Sequence, residues 1–270
     1  MKKTVFILSV LISCNVYAEC DEEGYYDCGN TGDVKWYLSS DQSTLTVLGN
    51  GSTGDYGFVD NPYFIENDTK TAPLRTTAPW GKYNDKIETI NVEEGVVRLG
   101  SVCFAGLDHV TNVNLPQTLS VLAGSSLDQL SSLTSLVIPD NVTTVSQTAF
   151  AWTNSLVSLD VGDGFEIEGS GLQYLGITPD QHSEFAYNNA NTKIYCNEDM
   201  IDTCRQMENI SRNIIPYKKQ GNEYILDGVR YKNSTDMQNM KNGNKIRRIY
   251  TIEEANAAAG EKNRVSIKYR

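Results

Sequence analysis

Leu133-Thr-Ser-Leu-Val-Ile-Pro-Asp-Asn-Val-Thr-Thr-Val-Ser-Gln-Thr-Ala-Phe150 is one turn of a pattern that returns every 23 residues in this 270-residue chain. Turns begin at Ile87, Val110, Leu133 and Leu156, and apolar residues recur at the same phase in each, although the fourth turn loses the second half of the pattern. A fixed period of roughly 20 to 50 residues indicates stacked repeats, because no single repeat can bury its own apolar face.

The spacing inside the turn predicts its local structure. Leu136 and Ile138 are two residues apart, so they share one face of a short strand, whereas Ser135 and Val137 point to the other face. Pro139 follows directly and ends the strand, because it has no N–H for the ladder. Stacked turns therefore predict a narrow parallel sheet, with the second half of each repeat returning on the opposite wall.

This turn resembles the BspA-type leucine-rich repeat, whose turns read as a strand, a proline, two spaced aliphatic residues and a terminal Ala-Phe. Ser126-Leu127 departs from that ending, and Glu93-Glu94-Gly95 replaces the proline turn. The likeness covers residues 27–165, because four upstream segments resemble the amino-terminal cap of that family: Asp27-Cys28-Gly29, Lys35-Trp36-Tyr37-Leu38, Leu45 to Gly51, and Ala78-Pro79-Trp80. The resemblance implies a bacterial surface or secreted protein, in some members an adhesin for host proteins.

The fold class expected is an α/β-type repeat solenoid, mostly β. It has a short stack of leucine-rich repeats, a β-rich N-terminal cap and a small α+β C-terminal module. The expected division of the chain is a signal peptide at 1–18, the cap at 19–86, the repeats at 87–165, an exit loop and disulfide-bearing cap at 166–217, and a basic tail at 218–270.

The amino terminus predicts export. Lys2 and Lys3 precede an apolar stretch that is too short to cross a bilayer, and Val16-Tyr17-Ala18 offers small residues around a cleavage site. An alternative is a lipoprotein signal at Leu11-Ile12-Ser13-Cys14, which would make Cys14 the lipid-bearing amino terminus. No other segment of the sequence is long and apolar enough to anchor the chain.

The cysteines suit an oxidising compartment. Two local pairs are plausible, Cys20 with Cys28 and Cys196 with Cys204. Cys103 occupies the repeat position of the small residues Ser126 and Ala149, which indicates a packed interior thiol. The spacings do not suit a zinc site.

Charge divides the chain. Glu19 to Tyr217 holds 9 basic and 28 acidic residues, a net charge of −19, whereas Lys218 to Arg270 holds 12 basic and 6 acidic residues, a net charge of +6. An acidic body argues against a nucleic-acid ligand. The basic tail either contacts an acidic surface or carries solvated side chains on a small folded module.

The tail has its own pattern. Tyr224 to Tyr231 reads as a hairpin with an Asp-Gly turn. Ile246 to Tyr250 predicts a strand, Thr251 to Ala259 a short helix, and Arg264 to Tyr269 a final strand.

Sequence patterns typical of catalysis are weak. Gly49-x-Gly51-x-x-Gly54 matches a dinucleotide fingerprint, but Pro62 and its neighbours cannot open the required helix. His109 falls in a turn between repeats and His182 in a polar loop, so no Ser-His-Asp arrangement is indicated. The segment from Asp160 to Glu166 has oxygen ligands but not a full calcium loop. We therefore predict no enzyme, no cofactor and no metal.

Two surfaces are candidates for binding an extracellular or host protein. The first is the exposed strand face, which lacks large anchor residues and consists of Thr89, Asn91, Asn112, Asn114, Ser135, Val137, Ser158 and Asp160. The second is an aromatic insertion that either caps the core or contacts a partner, and it consists of Tyr56, Phe58, Tyr63 and Phe64. The sequence thus predicts a secreted or cell-surface recognition or adhesion protein. The alternative is a structural envelope-associated module that docks through its tail.

Overall fold

The computed structural model describes residues 24–66, 68, 71–146, 148–164, 192–205 and 214–241, and this part of the chain is mostly β, as predicted. Its strands are β1 (Tyr25–Thr31), β2 (Val34–Ser39), β3 (Thr44–Leu48), β4 (Gly51–Ser52), β5 (Phe58–Asp60), β6 (Leu74–Thr76), β7 (Thr89–Val92), β8 (Val96–Leu99), β9 (Asn112–Asn114), β10 (Val121–Leu122), β11 (Ser135–Val137), β12 (Thr144–Val145), β13 (Ser158–Asp160), β14 (Lys193–Asn197), β15 (Ile214–Gln220), β16 (Glu223–Leu226) and β17 (Val229–Tyr231). Its α-helices are α1 (Ile201–Cys204) and α2 (Ser234–Lys241), and 3₁₀ helices lie at Pro79–Tyr83 and Glu198–Met200.

The first sheet joins the amino-terminal strands to the repeats in the order β1-β2-β3-β7-β9. The strand β2 runs antiparallel to both of its neighbours, β1 and β3, and β3, β7 and β9 run parallel. In the parallel part Ile90 lies beside Val113, so the 23-residue spacing is the spacing of neighbouring strands. Ile90 points into the core, and the residues on either side of it point outward.

A second parallel sheet, in the order β12-β10-β8-β4, lies on the other side of the core. Leu122 pairs with Leu99 on one side and with Val145 on the other, again at steps of 23 residues. All three side chains are buried. The period therefore sets both walls: the first two turns each add one strand to each of these sheets, and the third adds β12 to the second sheet, with a layer of apolar side chains between the walls.

Between the two sheets, each turn bends through the same backbone conformation. Gly106, Gln129 and Trp152 are 23 residues apart, and their φ angles are 69°, 57° and 56°. A left-handed residue at this position is costly for a side chain with a Cβ, so the neighbouring turns must impose it. The Gln129 N–H donates to the Ala151 carbonyl of the next turn at 2.8 Å, and the Gly106 N–H donates to the Asp128 backbone carbonyl at 3.0 Å.

A third sheet continues the strand face toward the carboxyl terminus in the order β11-β13-β14-β15-β16-β17. The strands from β11 to β15 are parallel, and β16 and β17 return as antiparallel strands. Asp227 and Gly228 have φ angles of 52° and 78° and form the turn of the hairpin. The strand Ile214–Gln220 runs through the boundary expected between residues 217 and 218, so the hairpin extends the sheet of the repeats.

One hydrophobic cluster runs from Val34 to Cys204 through the repeats. Cys103, Ser126 and Ala149 occupy the same position in three successive repeats. All three are buried, as this common position predicts. A second, smaller cluster lies on the outer side of the third sheet and consists of Tyr195, Tyr217, Leu226, Tyr231 and Met237.

Several predictions made above fall on residues outside those that the structure describes. They concern the signal peptide at 1–18 with Cys14, the half-cystine Cys20, the exit loop around His182, and the strand-helix-strand pattern from Ile246 to Tyr269. Among the described residues, no helix is both long enough and apolar enough to cross a membrane.

Candidate recognition surfaces

The strand face is open on its amino-terminal side. Asn112 and Asn114 are exposed, and Thr89 and Asn91 are half-exposed. The Asn114 amide donates to the Asn91 side-chain oxygen at 2.7 Å, which aligns two neighbouring turns. The side chains on this half of the face are small and polar, as the sequence predicts.

The carboxyl-terminal side of the same face is covered. Ser158 and Asp160 are 0% and 1% exposed, so the expectation that they line an exposed surface is wrong for these two residues. Ser135 and Val137 are half-exposed. The cover is the C-terminal segment, residues 214–241, which folds back so that α2 lies against β11.

Asp160 is the polar centre of this contact. Its carboxylate accepts hydrogen bonds from the Tyr217 hydroxyl at 3.0 Å, from the Ser234 hydroxyl, and from the Gly162 N–H at 3.4 Å. Burial raises the pKa of Asp160 to about 6, although its hydrogen bonds oppose the shift. A carboxyl group that titrates near neutral pH thus lies between the repeats and the C-terminal segment.

A second polar contact joins the C-terminal segment to the repeats, just beyond the ends of the repeat strands. The Lys219 ammonium group bridges Asp140 and Asp163, which lie one repeat apart, and its distance to Asp163 is 3.2 Å. Burial lowers the pKa of Lys219, but the hydrogen bond to Asp140 and the nearby charges outweigh it and hold the pKa above its ordinary value. Between this bridge and the open strand face is a cleft of about 670 Å³ that is lined by Asn114, Val137 and the start of α2.

These buried carboxyl groups lead to a pH prediction. Burial raises the pKa values of Asp108 and Asp128 to about 7, and that of Asp160 to about 6. The folded protein therefore binds more protons than the unfolded chain between about pH 4 and 7, and its stability falls as pH rises through that window. We expect the free energy of unfolding to be larger at pH 5.0 than at pH 7.5, because at pH 5.0 these three groups hold protons in the folded protein that the unfolded chain has largely released.

Urea denaturation at the two pH values measures this difference. Asp128→Asn should flatten the pH dependence, because one of the raised groups is then removed. Groups with lowered pKa values, such as Asp41 at about 2 and Asp55, lose their contribution only at more acidic pH. Equal stability of the unmodified protein at pH 5.0 and 7.5 would contradict the prediction.

The aromatic insertion divides into buried and displayed residues. Tyr56 packs against the core beside Trp80, and its hydroxyl lies 2.6 Å from that of Thr31. Phe58, Tyr63 and Phe64 are 40%, 49% and 44% exposed. The capping interpretation therefore fits Tyr56, whereas the other three aromatic rings lie on the surface together with the exposed Val59 and Ile65.

A buried polar anchor fixes the loop that carries Tyr63 and Phe64. The Asn61 amide group donates to the Ala72 carbonyl at 2.9 Å and to the Asp108 carboxylate at 2.8 Å. Its oxygen accepts from the Tyr63 N–H at 3.0 Å and from the Asn84 amide at 3.1 Å. The Asn61 N–H also donates to the Pro73 carbonyl at 3.0 Å, which closes the neck of the loop. The loop is thus held at its base and displays apolar side chains near its tip.

The cysteines have different roles. Cys196 and Cys204 form a disulfide that links β14 to α1, with their Cα atoms 6.7 Å apart. Cys28 is also disulfide-bonded, and its predicted partner Cys20 lies outside the described residues. Cys103 carries a free thiol in the core, where burial raises its pKa to about 12, so we expect little reactivity.

Within the described residues there is no group of three or more potential metal ligands of the histidine, cysteine or carboxylate type. Two of the oxygen ligands considered for calcium, Asp160 and Asp163, contact the C-terminal segment, and the third, Glu166, lies outside the described residues.

The repeats are similar to a known family of sequences. Residues 82–174 match the family model of the BspA type leucine rich repeat region, in six copies. No curated protein matches the chain. Among solved structures, a leucine-rich repeat protein from Eubacterium ventriosum is 14% identical, with a TM-score of 0.40 over 76% of this chain and 47% of that one. This chain therefore spans about half the length of that protein.

Two further structures are similar. A leucine rich repeat protein from T. pallidum is 15% identical, with a TM-score of 0.34 over 66% of this chain and 80% of that one. A leucine rich cell surface protein from Faecalibacterium prausnitzii is 13% identical, with a TM-score of 0.21 over 77% of this chain and 59% of that one.

Proposed function

We propose that this chain is an exported, non-enzymatic protein of the bacterial cell surface or its surroundings that recognises another protein, because residues 82–174 match the BspA type leucine rich repeat region. The parallel sheets on two sides of one core support a short solenoid, with antiparallel strands as its amino-terminal cap and an α+β carboxyl-terminal module. The signal-like amino terminus and the disulfide between Cys196 and Cys204 support export.

The observation that carries the recognition proposal is the display of Tyr63 and Phe64 on an anchored loop, with the exposed Phe58 on the strand β5 that leads into it. Exposed aromatic rings do not contribute to folding as buried ones do, and they are typical anchors of protein interfaces. A loop fixed through Asn61 loses little conformational freedom on binding, which favours affinity. The open strand face, with Asn112 and Asn114, offers polar contacts without such anchors.

We expect the replacement of two displayed rings to weaken binding by at least tenfold. The purified chain is tested on an array of immobilised extracellular-matrix proteins, and the dissociation constant for any protein bound is measured by biolayer interferometry. The double variant Tyr63→Ser and Phe64→Ser removes apolar contact area from the loop and leaves the Asn61 anchor in place. Thermal unfolding verifies that the fold is retained.

The matched control is Val157→Ser, which replaces an exposed apolar residue of the repeats. This variant should bind as the unmodified protein does. Full binding by the loop variant would show that the aromatic loop is not the anchor, and loss of binding by the control would indicate that the strand region is used instead.

The alternative function is a structural module of the cell envelope that is lipidated on Cys14 and docks through its basic tail. The sequence Leu11-Ile12-Ser13-Cys14 is the observation that favours it. Intact mass of the protein from a bacterial host that processes both kinds of signal separates the two. A mass that starts at Glu19 supports the secreted form, and a lipid on Cys14 with the protein in the membrane fraction supports the anchored form.

A further inference from the structure

A row of backbone hydrogen bonds runs along the turns of the repeats and continues into the aromatic insertion. The Gly106 N–H donates to the Asp128 backbone carbonyl at 3.0 Å, and on the other side the Thr76 N–H of β6 donates to the Ala105 carbonyl at 2.9 Å. The strand β6 pairs in turn with β5 in a two-stranded antiparallel sheet. Among the described strands β5 has no second neighbour, so it is the outer edge of this row.

The register between β5 and β6 determines which backbone groups of β5 remain unpaired. The Asn61 N–H, directly after β5, donates to the Pro73 carbonyl at 3.0 Å. Alternate residues of an antiparallel strand bond to the same neighbour, so Val59, two residues earlier, also faces β6. The N–H and C=O groups of Phe58 and Asp60 therefore point away from β6, and together they form the open edge of β5.

The open edge of β5 is exposed and carries apolar side chains. Phe58 and Val59 are each 40% exposed, and Asp60 is exposed beside them. No other described residue makes a backbone hydrogen bond to Phe58 or Asp60 across this edge. Unpaired edge groups are a template for a strand from another chain, and proteins that avoid such pairing cover the edge or place lysine or proline on it. Within the described part of the chain, the edge of β5 has none of these protections.

An antiparallel strand uses this edge best. Phe58 and Asp60 would each exchange two hydrogen bonds with one opposite residue, whereas the slanted bonds of a parallel pair are slightly less stable. Backbone hydrogen bonds contribute only modestly on their own, because the same groups bond to water in the free state. A strand as short as β5 therefore needs favourable side-chain pairs to hold a partner.

The side chains of β5 define these pairs. Phe58 and Asp60 lie on one face of the strand, and Val59 lies on the other. The favourable neighbours are an aromatic residue opposite Phe58, a β-branched residue opposite Val59 and a basic residue opposite Asp60. A basic partner also suits the net charge of −19 between Glu19 and Tyr217. A second copy of this chain would bring the same acidic body, so a different protein is the favoured occupant.

We infer that the partner protein adds an extended antiparallel strand to the open edge of β5, with a basic residue opposite Asp60, a β-branched residue opposite Val59 and an aromatic residue opposite Phe58. In the direction of the partner chain, the order is basic, β-branched, aromatic. The backbone bonds supply affinity, and the side-chain pairs supply specificity. This inference rests on the proposed function, because it states how the recognised protein is held.

A peptide titration of the full chain tests the edge directly. The probe is a nine-residue peptide, blocked at both ends, with lysine, valine and tyrosine in this order at its centre. In the unmodified chain, the peptide should shift the NMR signals of the Phe58 and Asp60 amides and slow their exchange with water at least tenfold at saturation. A peptide with glutamate in place of lysine should bind at least threefold more weakly, because like charges then lie opposite each other. Absence of binding, or binding without a change at these two amides, would overturn the inference.

The variant Asp60→Pro closes the edge and leaves β6 in place. Proline at this position removes an N–H that points away from β6, so the hairpin keeps its own bonds. Fluorescence anisotropy should show that the peptide binds this variant at least tenfold more weakly than the unmodified chain. The matched control Asp60→Asn keeps the N–H and removes the charge, so it should lose only about threefold. Equal binding by Asp60→Pro and the unmodified chain contradicts the inference, as does a dimer of the unmodified chain that Asp60→Pro dissociates.

The array of extracellular-matrix proteins separates this inference from the proposed function. If a protein on the array binds, Asp60→Pro should weaken its binding at least tenfold, as the double variant Tyr63→Ser and Phe64→Ser does. Loss of binding in the double variant alone would support the proposed function and refute the strand pairing. If no protein on the array binds, the result counts against the proposed function, while the peptide titration still decides whether the edge accepts a strand.

Discussion

Replacement of Trp80 by alanine is expected to lower the free energy of unfolding by about 4 kcal/mol. Trp80 is fully buried, and its ring lies 5.7 Å from that of Trp36 and 5.5 Å from that of Phe104. Its indole N–H donates to the Cys103 carbonyl at 2.8 Å. The variant loses the packing of one of the two buried tryptophan rings of the core and leaves the Cys103 carbonyl without its indole donor. Urea denaturation followed by circular dichroism measures the change.

The matched control is Trp152→Ala, because Trp152 is 43% exposed and lies in the repeats. This second variant should lose about half as much, about 2 kcal/mol, since 43% of the Trp152 side chain is already exposed. Similar losses for the two variants would show that Trp80 does not pack between Trp36 of the amino-terminal strands and Phe104 of the repeats.

Gly106→Ala should lower the free energy of unfolding by about 3 kcal/mol or more. Gly106 has a φ of 69°, and a Cβ there would lie 2.1 Å from the Leu74 carbonyl oxygen and 2.7 Å from the Arg75 Cα. The left-handed backbone alone costs roughly 1 to 2 kcal/mol with a side chain. The remainder comes from the backbone of β6, which must move away from the repeat.

Gly221→Ala separates these two contributions. Gly221 has a φ of 60°, but a Cβ there would meet nothing within 4 Å. It should therefore show the backbone cost without the clash, about 1 kcal/mol. If both alanine variants were equally stable, the close contact between Gly106 and β6 would be refuted. Thermal and urea unfolding of the two variants provide the comparison.

The inward and outward positions of the repeats could be predicted from the sequence because the period is constant. Each step of 23 residues returns a side chain to the same layer, so Leu99, Leu122 and Val145 fall in one row. The strand β14 was not predicted. Ile194 pairs with Leu159 across 35 residues, so the step of 23 is lost and the strand cannot be found from the period.

The cover over Ser158 and Asp160 could not be predicted either. Local alternation correctly places both residues on the outer side of a strand, but Ser234 reaches Asp160 across 74 residues. The aromatic insertion shows the same limit. Its composition predicted either a cap or a partner surface, and the choice depends on the hydrogen bond between Asn61 and Asp108, which are 47 residues apart. Contacts that span such distances depend on tertiary packing, which periodicity does not encode.

The pairing of the last parallel strands has a consequence for self-assembly. Parallel stacking could in principle continue from one molecule into the next, as it does when identical strands add edge to edge in a fibril. Within the described residues, the parallel order stops at β3 on one side and at β15 on the other, and each of these strands is covered by an antiparallel hairpin strand, β2 or β16. The repeats therefore present no free parallel edge to a second molecule at either end of the strand face. We expect the protein to remain free of fibrils even at high concentration.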